Sequence, residues 1–265
     1  MIYFRILSRT RFYMLTVILL LSFSFCFAQE GFEIIPLDKN QSARSVQLNN
    51  EKNLQPLSKF IDTAIIRRFE NEITGFEYDD SIHFGRKSAI IFTGSSTIRK
   101  WSTLNDEFTS YKLLNRGFGG STLPEVIYYS EVLIFKHNPE IIVLYAGENE
   151  IANLGSNAQK VAESFLFFSQ IVSKKLPKAT IVYISIKPSP GRIKFWPEME
   201  AANEKIKEIC LKSSHCAYID FSAEIFDEKL KVRDDLFIKD KVHLNEKGYA
   251  ILAAKLMEEL KKRNR

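Results

Sequence analysis

Four short segments of this 265-residue chain contain residue types that can do nucleophilic chemistry. They are Gly94-Ser95-Ser96, residues 115–122, Gly147-Glu148-Asn149-Glu150 and Asp240-Lys241-Val242-His243. A serine hydroxyl becomes a nucleophile when a neutral imidazole takes its proton, and a carboxylate beside the imidazole fixes its tautomer. The segments supply each of these groups, and they predict acyl-transfer chemistry centred on Ser96.

The roles within this set follow from residue type and spacing. Because Asp240 precedes His243 by three residues, its carboxylate can reach Nδ1 while Nε2 points away toward Ser96. The oxyanion of a tetrahedral intermediate needs N–H donors that are already in position. The backbone N–H groups of Ser96 and Gly120 and the side-chain amide of Asn149 are of the right type.

Each segment also has an ordinary structural interpretation. Ser96 can cap a helix after a glycine turn, and the three glycines in 117–120 can serve a tight turn. Asn149 and Glu150 can cap the next helix, and the Asp-x-x-His segment can be a simple loop. The catalytic prediction depends on all four segments together, because neighbouring parallel strands end at one edge of a sheet.

The histidines give a separate indication of the base. The chain contains His83, His137, His215 and His243. The first three precede predicted strands, whereas active sites of parallel sheets gather where strands end. We therefore expect surface or structural roles for those three and predict that His243 is the base.

Alternating strand and helix patterns place the four segments at one edge of a parallel sheet. Apolar runs predict strands at 89–92, 111–114, 141–145, 181–186 and 217–219. Helical spacing predicts helices at 61–76, 97–108, 124–135, 158–176, 196–211 and 246–262, the last with Asn245 as its N-cap. The pattern predicts an α/β fold, a three-layer α/β/α sandwich around a five-stranded parallel sheet.

In order, the four segments resemble the signature blocks of the SGNH or GDSL-type hydrolases, over about residues 60–262. The resemblance implies a flavodoxin-like sheet and a serine esterase that needs no metal or organic cofactor. The implied catalytic residues are Ser96, Asp240 and His243, and the implied oxyanion hole consists of Ser96, Gly120 and Asn149.

Two positions depart from the usual family pattern. Ser95 replaces an acidic neighbour of the nucleophile, which is similar to a Gly-Ser-Ser variant subgroup. Glu150 stands where the family usually has Asp, and we expect it to alter loop packing without affecting the chemistry.

The chain has no long apolar lid segment, which favours a small acyl group such as acetyl on a carbohydrate or similar alcohol. An O-acyltransferase acting on glycans at the same site is one alternative, and a non-catalytic glycan-binding relative is another. A Pro-rich loop at 186–192 lies on the predicted active edge. We expect either that Arg192, Phe195 and Trp196 contact substrate, or that the loop is simply rich in turn residues and Trp196 packs in the core.

The N-terminus predicts export. Arg5, Arg9 and Arg11 precede an uncharged apolar stretch, so residues 1–28 are predicted to be a signal peptide cleaved near Ala28. The mature protein would be periplasmic or extracellular, and an uncleaved membrane anchor is the alternative. The polar segment 29–58 is predicted to be an arm or linker before a hydrolase domain at 59–265.

Charge and cysteine usage narrow the choice of partners. Residues 1–28 hold three of the 37 basic residues and none of the 32 acidic ones, so the formal charge falls from +5 to +2 without them. Without residues 1–28, no polybasic patch is left that would indicate nucleic-acid binding. Neither Cys210 nor Cys216 lies in a metal-ligand pattern. The two cysteines either form a disulfide or remain separate buried thiols.

Overall fold

The computed structural model describes residues 59–60, 62, 65–82 and 89–263. The predicted signal peptide, the predicted arm and His83 lie outside the described residues. The helices in the described part are α1 Glu70–Ile82, α2 Ser96–Arg99, α3 Leu104–Glu107, α4 Leu123–Tyr128, α5 Ser130–Leu133, α6 Glu148–Leu154, α7 Ala158–Lys175, α8 Trp196–Leu211 and α9 Glu246–Arg263. The strands are β1 Ile90–Gly94, β2 Leu113–Gly117, β3 Ile141–Tyr145, β4 Thr180–Ile184 and β5 Cys216–Ile219. Short 3-10 turns occur at Phe135–His137, Pro190–Phe195, Ser222–Ile225 and Asp234–Leu236.

The five strands form one parallel sheet in the order β2-β1-β3-β4-β5. This confirms the predicted α/β fold with a five-stranded parallel sheet. Gly94 is in register with Gly117 on β2 and with Tyr145 on β3, so these three strands end at the same level. The polar segments that follow them therefore meet at the carboxyl edge, where open α/β sheets bind ligands.

Alternate strand residues face opposite helical layers, which gives the predicted three-layer sandwich. Ile91, Leu144 and Tyr183 are buried in one apolar cluster with residues of α1, α4, α5, α7 and α8. Ile90 and Val143 belong to a second cluster with residues of α2, α3 and α9. Because strand side chains point to alternate faces, one buried strand contributes to both clusters.

Strand boundaries differ most at β2, which was predicted at 111–114 but extends over Leu113–Gly117. The polar residues Asn115 and Arg116 interrupt the apolar run, and both side chains have polar partners inside the protein. The Asn115 amide donates to Ile98 O at 2.8 Å, and the buried Arg116 guanidinium pairs with Asp79 at 3.2 Å and with Asp80. Tertiary partners therefore extend the strand beyond its hydrophobic signal.

Three predicted helices differ from the structure by more than one residue. The region predicted as one helix at 61–76 has hydrogen-bonded turns at 65–69, and α1 begins only at Glu70. The regions predicted as helices at 97–108 and 124–135 are each divided, into α2 with α3 and into α4 with α5. At the first break the side chain of Trp101 is buried in the core, so packing overrides the helical periodicity.

Cys210 near the end of α8 and Cys216 at the start of β5 form a disulfide, with their Cα atoms 4.8 Å apart. The structure therefore selects the paired alternative for these cysteines. In the described part of the chain, helices that are both long and apolar enough to cross a membrane are absent.

Candidate active site

Ser96 is placed by a tight turn at the end of the central strand β1. Gly94 has φ +117°, and a Cβ there would lie 2.0 Å from Tyr145 O, so the turn requires glycine. The Ser95 N–H donates to Tyr145 O at 2.9 Å and fixes the turn to β3. Ser96 is the first residue of α2, so its N–H has no carbonyl of that helix to bond.

The four-residue helix α2 is held by packing against α9. Trp101, two residues after its end, is 2% exposed and stacks on Tyr249 of α9 with ring centroids 5.3 Å apart. The Tyr249 hydroxyl donates to Thr97 O at 3.0 Å. These contacts fix α2 relative to α9, and the loop immediately before α9 carries Asp240 and His243.

The loop before α9 is organised by Asp240 and Asn245. Asp240 Oδ1 accepts from the N–H groups of Val242 at 3.0 Å and His243 at 2.9 Å. Asn245 Oδ1 accepts from the Gly248 N–H at 3.2 Å, as expected of the predicted N-cap, and its amide donates to Asp235 O at 2.7 Å. The loop backbone is therefore tied both to the acidic side chain and to the first turn of α9.

The structure joins Asp240, His243 and Ser96 in one hydrogen-bonded chain. Asp240 Oδ2 lies 2.6 Å from His243 Nδ1, and His243 Nε2 lies 2.9 Å from Ser96 Oγ. Burial opposes ionisation of Asp240, but the backbone N–H and imidazole of His243 hold the pKa of this carboxyl well below its usual range. The ionised carboxylate accepts a hydrogen bond from Nδ1–H, which leaves Nε2 free to accept from the serine hydroxyl. The Lys100 ammonium lies 3.3 Å from Nδ1 and adds positive charge beside the pair.

Gly120 lies in the loop after β2 with φ +83°, and a Cβ there would meet no atom within 4 Å. Its carbonyl accepts from Arg68 at 3.0 Å. Arg68 also forms two hydrogen bonds to the buried Glu125 carboxylate, at 2.7 and 3.0 Å. The turn before α1 therefore holds the carbonyl of Gly120 and anchors the loop that carries this residue.

Asn149, the second residue of α6, is held on both ends of its amide. Its Nδ2 donates to Ser121 O at 2.9 Å, which connects it to the loop containing Gly120. Its Oδ1 accepts from Arg192 at 3.1 Å and from Asn153 at 3.1 Å. The structure thus joins the two predicted oxyanion segments to each other through Ser121.

A buried charged cluster lies beside Asn149, and sequence reasoning did not identify it. Glu148 accepts from Lys187 at 3.0 Å, from Arg192 at 3.0 Å and from the Tyr145 hydroxyl. Burial alone would raise the pKa of Glu148, but Lys187 and Arg192 hold it below its usual range. The sequence does contain a signal for the Glu148–Lys187 pair: these opposite charges follow the neighbouring strands β3 and β4.

Glu150 connects the two loops that flank β1. Its carboxylate accepts from the Leu123 N–H at the start of α4 and from the Gly147 N–H at 3.1 Å. Burial raises the pKa of Glu150 to about 7, although these N–H donors favour its ionised form. The residue that departs from the family pattern therefore serves as a buried cap that holds α4 against α6.

The other candidate residues lie away from Ser96 or point elsewhere. His137 and His215 lie before β3 and β5, and burial lowers the pKa of His137 to about 4. Trp196 packs on Phe226 with ring centroids 5.5 Å apart. Arg192 is turned into the cluster described above, with 18% of its side chain exposed. No group of metal-ligating side chains occurs in the part of the chain that the structure describes.

Comparisons with known proteins bear on the family and the fold of this chain. The family model described as GDSL-like Lipase/Acylhydrolase family matches residues 80–251, a range that contains all four segments. The chain is similar to a solved GDSL-like lipase from Bacteroides thetaiotaomicron, with 17% identity and a TM-score of 0.61 over 75% of this chain and 98% of that one. No curated protein is significantly similar in sequence.

Two further solved structures share the fold at low identity. One is a member of the lipolytic G-D-S-L family from Veillonella parvula, with 20% identity and a TM-score of 0.54 over 64% of this chain and 96% of that one. The other is a catalytic mutant of an acetylxylan esterase from Geobacillus stearothermophilus, with 14% identity and a TM-score of 0.53 over 66% and 95%.

Proposed function

Because the chain belongs to the GDSL-like lipase/acylhydrolase family, we propose that it is an esterase whose nucleophile is Ser96. The family supports a hydrolase that acts on esters, and the finer assignment depends on one observation. That observation is the hydrogen-bonded chain from Asp240 through His243 to Ser96, with contacts of 2.6 and 2.9 Å. Such a chain is what a serine needs in order to become nucleophilic.

In the proposed reaction Ser96 Oγ attacks the ester carbonyl while His243 Nε2 takes its proton. Asp240 holds the imidazole in the required tautomer and stabilises the imidazolium. The developing oxyanion is bound by the N–H groups of Ser96 and Gly120 and by the Asn149 amide. His243 then protonates the leaving alcohol, and water hydrolyses the acyl-enzyme by the same steps.

The proposed substrate is an ester of a small acyl group, such as acetyl on a carbohydrate. The short loops of the sequence and the acetylxylan esterase among the structural neighbours support this choice. An O-acyltransferase would use the same acyl-enzyme but pass the group to a glycan hydroxyl. Acetyl release from a chromogenic ester, measured with and without an acceptor glycan, separates the two: transfer gives an acetylated glycan, and hydrolysis gives free acetate.

The direct test is ester hydrolysis by the Ser96→Ala variant, measured with chromogenic esters of increasing acyl length. We expect kcat to fall by about 10⁴-fold or more, because the triad loses its nucleophile. Ser95→Ala is the matched control, because the Ser95 side chain makes no capping hydrogen bond. Unchanged hydrolysis in Ser96→Ala contradicts the proposal, and no activity in the wild type favours the glycan-binding alternative.

We also propose that the protein is exported. The N-terminal charge and apolar pattern supports this, as does the disulfide, since disulfides persist in oxidising compartments. The test is fractionation of cells followed by N-terminal sequencing. Export with cleavage predicts a mature chain that begins at Gln29, whereas a membrane-bound chain that begins at Met1 indicates an uncleaved anchor.

A further inference from the structure

We propose that Arg192 is a positioning residue for the oxyanion hole: it fixes and polarises the Asn149 amide from a buried charged cluster. This inference rests on the proposed function, because it concerns the donor that binds the oxyanion. The cluster consists of Glu148, Lys187 and Arg192, and it is called the Glu148 cluster below. None of its members touches the Asp240–His243–Ser96 chain in the contacts described above.

The contacts of Arg192 make it a bridge between the cluster and Asn149. One guanidinium nitrogen, Nη1, donates to Glu148 Oε1 at 3.0 Å and to Asn149 Oδ1 at 3.1 Å. The other, Nη2, lies 3.3 Å from Asn153 Oδ1. With Oδ1 bound in this way, the amide cannot flip, and Nδ2 is the atom directed toward the loop of Gly120. Asn149 therefore presents a donor and not an acceptor to the oxyanion.

The anchor of this bridge is rigid because it is buried. The side chains of Glu148 and Lys187 are only 5% and 1% exposed, and their charged atoms are 3.0 Å apart. Glu148 follows β3 and Lys187 follows β4, so the ends of two adjacent strands fix the pair. The Tyr145 hydroxyl donates a further hydrogen bond to Glu148. A guanidinium held on such an anchor keeps its position when substrate enters.

The charges of the Glu148 cluster do not balance. One carboxylate faces the ammonium of Lys187 and the guanidinium of Arg192, so the cluster carries an excess positive charge. That charge acts on the side-chain carbonyl oxygen of Asn149, Oδ1. A charge-assisted hydrogen bond at Oδ1 makes the N–H groups of the same amide stronger donors. Such an arrangement favours the oxyanion more than the neutral ester, so it acts on the transition state.

The experiment is a double-mutant cycle between Arg192 and Asn149 with a chromogenic acetyl ester. We expect Arg192→Ala to lower kcat by about 10- to 100-fold with KM within about twofold, since a donor is misplaced but not removed. In the Asn149→Ala background the same substitution should change kcat by less than about twofold, because the group on which Arg192 acts is already gone. Equal effects in both backgrounds would overturn the proposal in favour of a structural role.

Two further variants keep the test decisive. Lys194→Ala is the matched control, because it removes a cation from the same Pro190–Phe195 turn at an exposed position, and it should leave kcat unchanged. Added guanidinium ion should restore part of the kcat of Arg192→Ala, whereas the same concentration of sodium chloride should not. If Arg192→Ala does not fold, Arg192→Lys takes its place in the cycle, because one ammonium cannot reach Glu148, Asn149 and Asn153 together.

The outcomes distinguish this inference from the proposed function. Retained activity in Ser96→Ala would contradict the esterase mechanism itself, whatever the cycle shows. Loss of activity in Ser96→Ala, together with independent effects of Arg192 and Asn149, would leave the esterase in place and remove only the positioning role.

Discussion

At the residue scale, the two oxygens of Asp240 have separate tasks. Oδ1 accepts from two backbone N–H groups and shapes the loop, while Oδ2 accepts from the His243 ring. A substitution that keeps the first task and changes the second isolates the chemical contribution of the carboxylate. Asn is that substitution, because its carbonyl oxygen can replace Oδ1 while its amide faces Nδ1.

We predict that Asp240→Asn lowers kcat by roughly 10⁴-fold with little change in KM. The NH2 group of the introduced Asn cannot accept a hydrogen bond from Nδ1–H. The imidazole therefore takes the tautomer that presents an N–H to Ser96, and it cannot act as a base. Steady-state kinetics with a chromogenic ester measures the effect. Asp235→Asn is the control, because the Asp235 side chain is more than half exposed and its Oδ1 makes only a long contact, 3.8 Å, with Arg233 Nε. A loss of less than tenfold in Asp240→Asn would show that this carboxylate does not orient the base.

At the scale of elements, Glu150 joins the starts of α4 and α6 and so keeps together the loops that carry Gly120 and Asn149. Its pKa is raised to about 7 by burial, above the usual value of 4.5 for glutamate in an unfolded chain. The folded protein therefore holds a proton on this group more tightly than the unfolded chain does. It follows that the stability contributed by Glu150 is full below pH 4.5 and is lost as the pH rises through about 7.

We predict that Glu150→Gln weakens this pH dependence. Gln resembles the protonated carboxyl and does not titrate. As the pH rises from 5 to 8, the free energy of unfolding of the variant should therefore increase relative to that of the wild type by up to about 3 kcal/mol. Denaturant unfolding at the two pH values measures the difference. Glu163→Gln on the exposed face of α7 is the matched control. Parallel pH dependence in Glu150→Gln and the wild type would mean that Glu150 is ionised in the folded protein at pH 5.

The elements themselves were predictable to the extent that local pattern determines them. The run Ile141–Tyr145 is continuously apolar, and its predicted bounds match β3. The helical periodicity at 97–108 failed because Trp101 is drawn into the core against Tyr249, a contact between residues 148 positions apart in the sequence. Periodicity reports which residues prefer burial, but tertiary packing decides where a helix ends.

At the scale of the whole molecule, the Cys210–Cys216 disulfide joins the last turns of α8 to β5 at the edge of the sheet. The disulfide closes a short loop. By restricting the unfolded chain, it therefore contributes only about 2 kcal/mol to the free energy of unfolding. The disulfide therefore supports the edge strand without being the main source of stability.

We predict that the Cys210→Ser, Cys216→Ser double variant unfolds with about 2 kcal/mol less free energy than the oxidised wild type. A reductant should lower the stability of the wild type by a similar amount and leave the double variant unchanged. Denaturant unfolding with and without reductant is the measurement, and a non-reducing peptide map is the check on pairing. Free thiols at both positions in the purified protein would contradict the prediction.

The three side chains proposed to react could be found in the sequence, but the groups that hold their surroundings could not. Ser96, Asp240 and His243 stand in short motifs whose spacing carries chemical meaning, and the structure brings all three together. Arg68 and Arg192 act across long stretches of sequence, on Gly120 and on Asn149. Nothing in their local sequence indicates these partners, because the contacts exist only once the sheet and its loops have assembled.

The nucleophilic role of Ser96 is tested by the site of covalent labelling with a fluorophosphonate, located by peptide mass spectrometry. An activated serine attacks the phosphorus of this reagent and displaces fluoride, which leaves the phosphonyl group bound to the serine oxygen. We expect one adduct, on Ser96, that is absent in Ser96→Ala and retained in Ser95→Ala. An adduct on Ser95, or ester hydrolysis by a wild-type protein that the reagent does not label, would contradict it.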